Sequence, residues 1–128
     1  MRLLLDTHSF LWYCLNDPSL SATARAVIDD PINDILVSPI TLWEIAIKMS
    51  IGKYSLGVPY EAFLRASMET NQFDMLPIEL RHTAALLTMP FHHKDPFDRL
   101  LIAQAMVEGI PIISADQAFS PYNVICLW

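Results

Sequence analysis

The 128-residue chain carries a formal net charge of −6, with 53% hydrophobic and 17% charged residues, three glycines and nine prolines. That balance is too apolar for a disordered tail and suits one domain with one core over residues 1–128. The acidic surplus excludes a broad basic face that holds nucleic acid by counterion release alone. Cys14 and Cys126 are too few and too far apart for a disulfide scaffold or zinc ribbon, so a reduced, cytoplasmic protein is expected.

The apolar opening at residues 1–5 is cut by Asp6, Thr7 and His8 before it reaches the roughly 7–15 residues of a secretory core. No stretch approaches the ~20 apolar residues of a membrane span. Residues 2–5 predict a short buried strand, followed by helices over 9–15 and 21–28, the second with Ser21 as N-cap. A strand at 35–37 leads to a helix over 39–50, closed by Gly52. A helix over 60–69 follows Pro59, 73–76 adds a strand bounded by Pro77, and 79–88 predicts another helix. The clearest pattern is the helix over 96–108, stopped by Gly109, after which 110–114 and 123–127 predict strands. Continuous rather than alternating apolar strands, interleaved with helices, imply an α/β fold: a three-layer α/β/α sandwich around a mostly parallel sheet.

In such sheets ligands bind beyond the carboxyl ends of the strands, where Asp6 and Asp116 fall. Each acid alone is equally well explained as a helix cap; two at matching strand ends favour a site. Glu44 lies in the apolar run Ile40-Thr41-Leu42-Trp43-Glu44-Ile45 and needs a partner there, either a site or an i,i+4 pair with Lys48. In His92-His93-Lys94-Asp95-Pro96-Phe97-Asp98-Arg99, Asp95 has the place of an N-cap and Pro96 that of N1. Asp98 has only the helix dipole to explain it structurally, which makes it the stronger ligand candidate. Carboxylates gathered without a cation repel one another, and a hard Mg²⁺ or Mn²⁺ relieves that repulsion while sharing its coordination with substrate phosphate. Phosphodiester hydrolysis is the chemistry such a site suits.

Four segments carry a family resemblance: Leu3-Leu4-Leu5-Asp6-Thr7-His8, Ser38-Pro39-Ile40-Thr41-Leu42-Trp43-Glu44-Ile45, Asp95-Pro96-Phe97-Asp98-Arg99-Leu100-Leu101-Ile102-Ala103-Gln104-Ala105, and Ile112-Ile113-Ser114-Ala115-Asp116. In this order they resemble the PIN domain family, in particular VapC-like toxins of type II toxin–antitoxin pairs. The resemblance implies an Mg²⁺- or Mn²⁺-dependent endoribonuclease with Asp6, Glu44, Asp98 and Asp116 as catalytic metal ligands; Asp95, the cap beside Asp98, is a candidate for an outer position or for capping alone. It also implies RNA as substrate, a cognate antitoxin as partner and a homodimer. Thr7 and Ser114 would then hydrogen-bond a ligand carboxylate or a coordinated water, although local turn bonds explain them almost as well. Arg99 and Lys48 are candidates for phosphate contact, for solvated charge or for structural ion pairs, and the 51–58 loop with Lys53 and Tyr54 lies where RNA could pass. The alternative within the family is a catalytically weak scaffold that binds a protein partner. A haloacid-dehalogenase-type phosphatase is excluded because Thr7 and His8 follow Asp6 where that family needs a DxD pair. His8, His82, His92 and His93 show no spaced metal pattern and are expected at the surface or as caps, while Trp12, Trp43 and Trp128 are expected mainly in the core.

Overall fold

A computed structural model describes residues 1–128. The first strand, β1 (Arg2–Leu5), is followed by α1 (Thr7–Cys14) and α2 (Ala22–Asp29), then β2 (Asp34–Val37), α3 (Pro39–Ser50) and α4 (Tyr60–Thr70). The second half runs β3 (Asp74–Met75), α5 (Leu80–Ala85), α6 (Pro96–Glu108), β4 (Ile112–Ile113), a 3-10 turn at Gln117–Phe119, and β5 (Cys126–Leu127). The strands lie in the order β3-β2-β1-β4-β5, and every pairing is parallel. No helix is long and apolar enough to cross a membrane.

Successive strand residues point to opposite faces, and the sheet divides its apolar side chains accordingly. Leu3, Leu5, Ile35, Val37 and Ile113 join a core with Phe10 of α1, Ile28 of α2 and Leu64 of α4. Leu4, Leu36 and Ile112 join a second core with Leu101, Ile102 and Ala105 of α6 and with Phe119. Both faces are covered, which is why the strands are apolar throughout and why the fold has three layers. Helix α3 feeds both cores, Ile40 one and Ile45 the other, and therefore runs between the layers with Glu44 on it.

The caps explain the element boundaries. Helix α1 starts two residues before the expected Ser9 because Asp6 caps it, its Oδ1 accepting from the Ser9 amide at 2.8 Å. Ser21 and Asp95 cap α2 and α6 as expected, and α6 ends at Gly109, whose φ of 65° favours glycine. Helix α5 is shorter than expected, because Leu86, Leu87 and Thr88 continue it only with tight amide bonds to the third residue back. Strands β4 and β5 are also shorter than expected, yet the Leu4 amide donates to Pro111 O and the Ser114 amide to Leu127 O, so the pairing runs past their ends.

The tryptophans depart from expectation. Trp43 is 60% exposed and Trp128 37% exposed, while Trp12 is only partly buried. His82 is wholly buried: its Nδ1 accepts from the Glu79 amide at 3.0 Å, and its Nε2 lies 2.9 Å from Glu108 Oε2. Glu79, His82 and Glu108 are close enough to suit a metal, but Arg81 and Arg2 already pair with Glu108. This cluster therefore ties α5 to α6 and the edge of β1.

Candidate active site

The parallel register sets Leu5 beside Ile113, so the next residues out, Asp6 and Ser114, emerge side by side at the carboxyl edge of the sheet. The Asp6 amide donates to Ile113 O at 3.2 Å and the Ser9 hydroxyl to the same carbonyl at 3.0 Å, which locks the start of α1 onto β4. Asp6 is buried, and burial pushes its carboxyl above the usual range, opposed by hydrogen bonds from Ser114 and Ser9. One of its oxygens serves the helix cap, so the capping role and a ligand role coexist. Ser114 Oγ also accepts from the Asp116 amide at 3.0 Å, and Asp116 Oδ1 caps the 3-10 turn by accepting from Ala118 N at 2.9 Å.

Helix α3 brings Glu44 in from the side, where it is almost fully buried with two partners. Thr7 Oγ1 donates to Oε1 at 2.7 Å, and Lys48 Nζ pairs with Oε2 at 2.8 Å. The i,i+4 pair anticipated as the structural alternative is thus present. Partial burial pulls the Lys48 ammonium down, but Glu44 more than offsets this, with Tyr54 and Asp95 adding to the upward shift.

Helix α6 begins against the same edge. Asp95 Oδ1 accepts from the amides of Phe97 at 2.8 Å and Asp98 at 3.1 Å, which makes Asp95 a cap. Asp98 projects inward, and its carboxyl is pushed up to about 7, first by burial, then by the negative charge of Asp95, with Glu44 and Asp6 adding and His93 opposing. Asp98 thus shares the electrostatic field of Asp6 and Glu44, which lie far away in sequence. His93 Nε2 lies 3.0 Å from Asp98 Oδ2 and 3.2 Å from Asp116 Oδ2. Its Nδ1 accepts from the Asp95 amide at 3.1 Å, so the ring proton must sit on Nε2, aimed at the two carboxylates.

The structure therefore places the four predicted acids at one edge, in two linked subsets. His93, Asp98 and Asp116 have ligating atoms within 4.8 Å of one another, and Asp6 and Glu44 lie outside that group. Asp6 stands beside Ser114, whose hydroxyl accepts from the Asp116 amide, and Glu44 connects through Thr7, the residue after Asp6. Only Lys48 and His93 bring a basic group into contact with any of these acids. The donors are hard oxygens with more negative charge than the protein neutralises, a set that suits a divalent cation. Asp98 keeps its Oδ1 free for one, whereas Asp116 meets Ala118 N at Oδ1 and His93 Nε2 at Oδ2, and both Glu44 oxygens are already engaged.

Sequence reasoning missed His93. Its signal was its place just before the Asp95-Pro96-Phe97-Asp98 segment, but only the fold brings Asp116 within reach. Arg99 proves structural: it is buried, donates to Pro90 O at 2.9 Å, and lies over the Phe91 ring at 4.0 Å.

The sequence profile of the PIN domain family matches residues 3–124. The chain belongs to the PIN domain family. PIN domains are nucleases, and that places the chain among the hydrolases of phosphodiester bonds. This PIN domain is similar in fold to VapBC2 from Rickettsia felis, solved bound to a DNA fragment from their promoter, with a TM-score of 0.73 at 15% identity over 98% of this chain and 97% of that one. It is also similar to FitAcB from Neisseria gonorrhoeae, with a TM-score of 0.66 at 18% identity over 97% and 95% of the two chains. A third likeness is to VapBC-5 of the VapBC family of toxin–antitoxin systems from Mycobacterium tuberculosis, with a TM-score of 0.62 at 17% identity over 98% and 96%. No curated protein sequence matches the chain.

Proposed function

We propose that this PIN domain is an Mg²⁺- or Mn²⁺-dependent endoribonuclease, the toxin of a type II toxin–antitoxin pair. The observation that carries the reading is the meeting of Asp98 and Asp116 across His93, at 3.0 and 3.2 Å, on the sheet edge where Asp6 emerges and Glu44 is tied in through Thr7. Asp6, Asp98 and Asp116 would hold the ion, with Glu44 completing the set once Lys48 gives way. The ion's contribution is to polarise the phosphodiester and make water a competent nucleophile at neutral pH. The chain's own residues orient the acids: Ser114 and Ser9 fix Asp6, Thr7 fixes Glu44, and His93 spaces Asp98 from Asp116. Attack by water, rather than by the ribose 2′-hydroxyl, leaves a 5′-phosphate and a 3′-hydroxyl.

The fold likeness to VapBC and FitAcB proteins supports an antitoxin as partner, and a homodimer goes with the same reading. A net charge of −6 suits a basic antitoxin segment across the acidic edge better than it suits tight general RNA binding. Incubating the purified protein with labelled RNA in Mg²⁺, Mn²⁺ or EDTA, and mapping the new ends, tests the proposal. Metal-dependent internal cuts with 5′-phosphate ends support it; ends bearing cyclic phosphate contradict it.

A further inference from the structure

Beside the acids lies a cleft of about 220 Å³ whose wall is aromatic: His8, Trp12 and Tyr54 line it, with Leu15, Leu56 and Asp17. It is smaller than the roughly 300–1,000 Å³ of sites for drug-sized ligands, and it leaves room for one flat ring system. The His8 and Trp12 rings are 5.4 Å apart, Trp12 leans on Trp128 at 5.8 Å, and His8 Nε2 lies 3.3 Å from the Tyr54 hydroxyl. Trp12, Tyr54 and Leu56 pack partly against the core beneath, so the wall is supported from behind.

We infer that this cleft receives one unpaired nucleobase of the RNA substrate, flanking the phosphodiester to be cut. The inference rests on the ribonuclease reading and names a base subsite for it. Three observations carry it. The cleft lies near the acids: His8 follows Asp6 by two residues, and the Lys48 ammonium that pairs with Glu44 lies 5.3 Å from the Tyr54 ring centroid. Its only formal charge is Asp17, whose Oδ1 accepts from the Ser19 amide at 2.8 Å. A carboxylate there repels phosphate and leaves acceptor capacity for the amino or imino edge of a base. With a net charge of −6, this protein cannot rely on broad backbone attraction, whereas stacking on aromatic rings holds any base by its π-face.

The test uses the full chain, with Ca²⁺ in place of Mg²⁺ to hold off cleavage. Short single-stranded RNAs carry 2-aminopurine or an abasic nucleotide at successive positions. The expected result is quenching of 2-aminopurine at one position. An abasic nucleotide at that position should weaken binding by the wild-type protein roughly five- to hundredfold. Trp12→Leu and Tyr54→Leu, checked for folding by circular dichroism, should show similar losses, and Tyr54→Phe should retain the signal. Equal quenching at every position, or full affinity for the abasic RNAs, overturns the inference. Cleavage of the unlabelled RNA in Mg²⁺ is measured in parallel. Metal-dependent cleavage without cleft binding defeats the inference alone, and cleft binding without cleavage defeats the nuclease reading alone.

Discussion

Thr7 Oγ1 donates to Glu44 Oε1 at 2.7 Å, and this bond ties the first residue of α1 to the middle of α3. Thr7 is buried beside Thr41, whose hydroxyl oxygen lies 3.3 Å from its own. Removing the hydroxyl leaves a buried carboxylate oxygen without a partner, at a cost of about 1–3 kcal/mol. Thr7→Ala should therefore lower the urea midpoint, and it should reduce metal-dependent activity about 10- to 100-fold by loosening a group that orients a ligand. Thr7→Ser should restore most of both. Equal activity in Thr7→Ala and wild type would show that Glu44 needs no such support.

His93 is expected to matter for metal affinity rather than for the fold. Its Nε2 proton sits between Asp98 and Asp116 because the Asp95 amide occupies Nδ1. His93→Ala should weaken Mn²⁺ binding by about 10- to 100-fold in calorimetry, the usual effect of losing an outer partner of a ligand. Unchanged Mn²⁺ affinity would make His93 a bystander.

The pH dependence of stability should carry a contribution from the cluster on the far side of α6. A hydrogen bond from His82, opposed by partial burial and helped by the charges of Arg81, His82 and Arg2, holds Glu108 below its ordinary value of 4.5. Because the folded value lies below the unfolded one, the unfolded chain binds more protons in that window. The stabilisation is then fully present above 4.5 and is lost as pH falls through the lower, folded value. Between about pH 5 and pH 3 the melting temperature should fall less steeply in Glu108→Gln than in wild type, from a lower start. Parallel curves would contradict this assignment.

The places of Asp6, Asp98 and Asp116 on the strands and helix were legible because the reasons for them are local. Asp6 and Asp116 follow apolar strand runs, and the cap, proline and glycine signals of Asp95, Pro96 and Gly109 bound the helix that carries Asp98. The register Leu5 to Ile113, which aligns Asp6 with Ser114, was not legible, since strand ranges alone do not say which residues pair. His93 was not legible, since its role depends on residues 93, 98 and 116 meeting in space from an irregular segment, a helix and a loop. Trp12, Trp43 and Trp128 were expected inside on size and apolarity, but both cores are filled mainly by Leu, Ile and Phe; Trp43 and Trp128 remain exposed, and Trp12 only packs partly against the first core. The inward turn of Arg99 was equally hidden: its partners Leu86, Pro90, Phe91 and Tyr122 lie in loops and turns outside the helix that carries it.

We propose that Asp6, Glu44, Asp98 and Asp116 form one metal-dependent hydrolytic site. Asp6→Asn tests it most directly, because it keeps an oxygen for the Ser9 amide and removes the charge. RNA cleavage by the wild-type protein should require Mg²⁺ or Mn²⁺ and stop in EDTA. In Asp6→Asn it should fall by about two to three orders of magnitude, the scale of losing one electrostatic stabiliser. Cleavage that persists in EDTA, or that is unchanged in a folded Asp6→Asn protein, would contradict the claim.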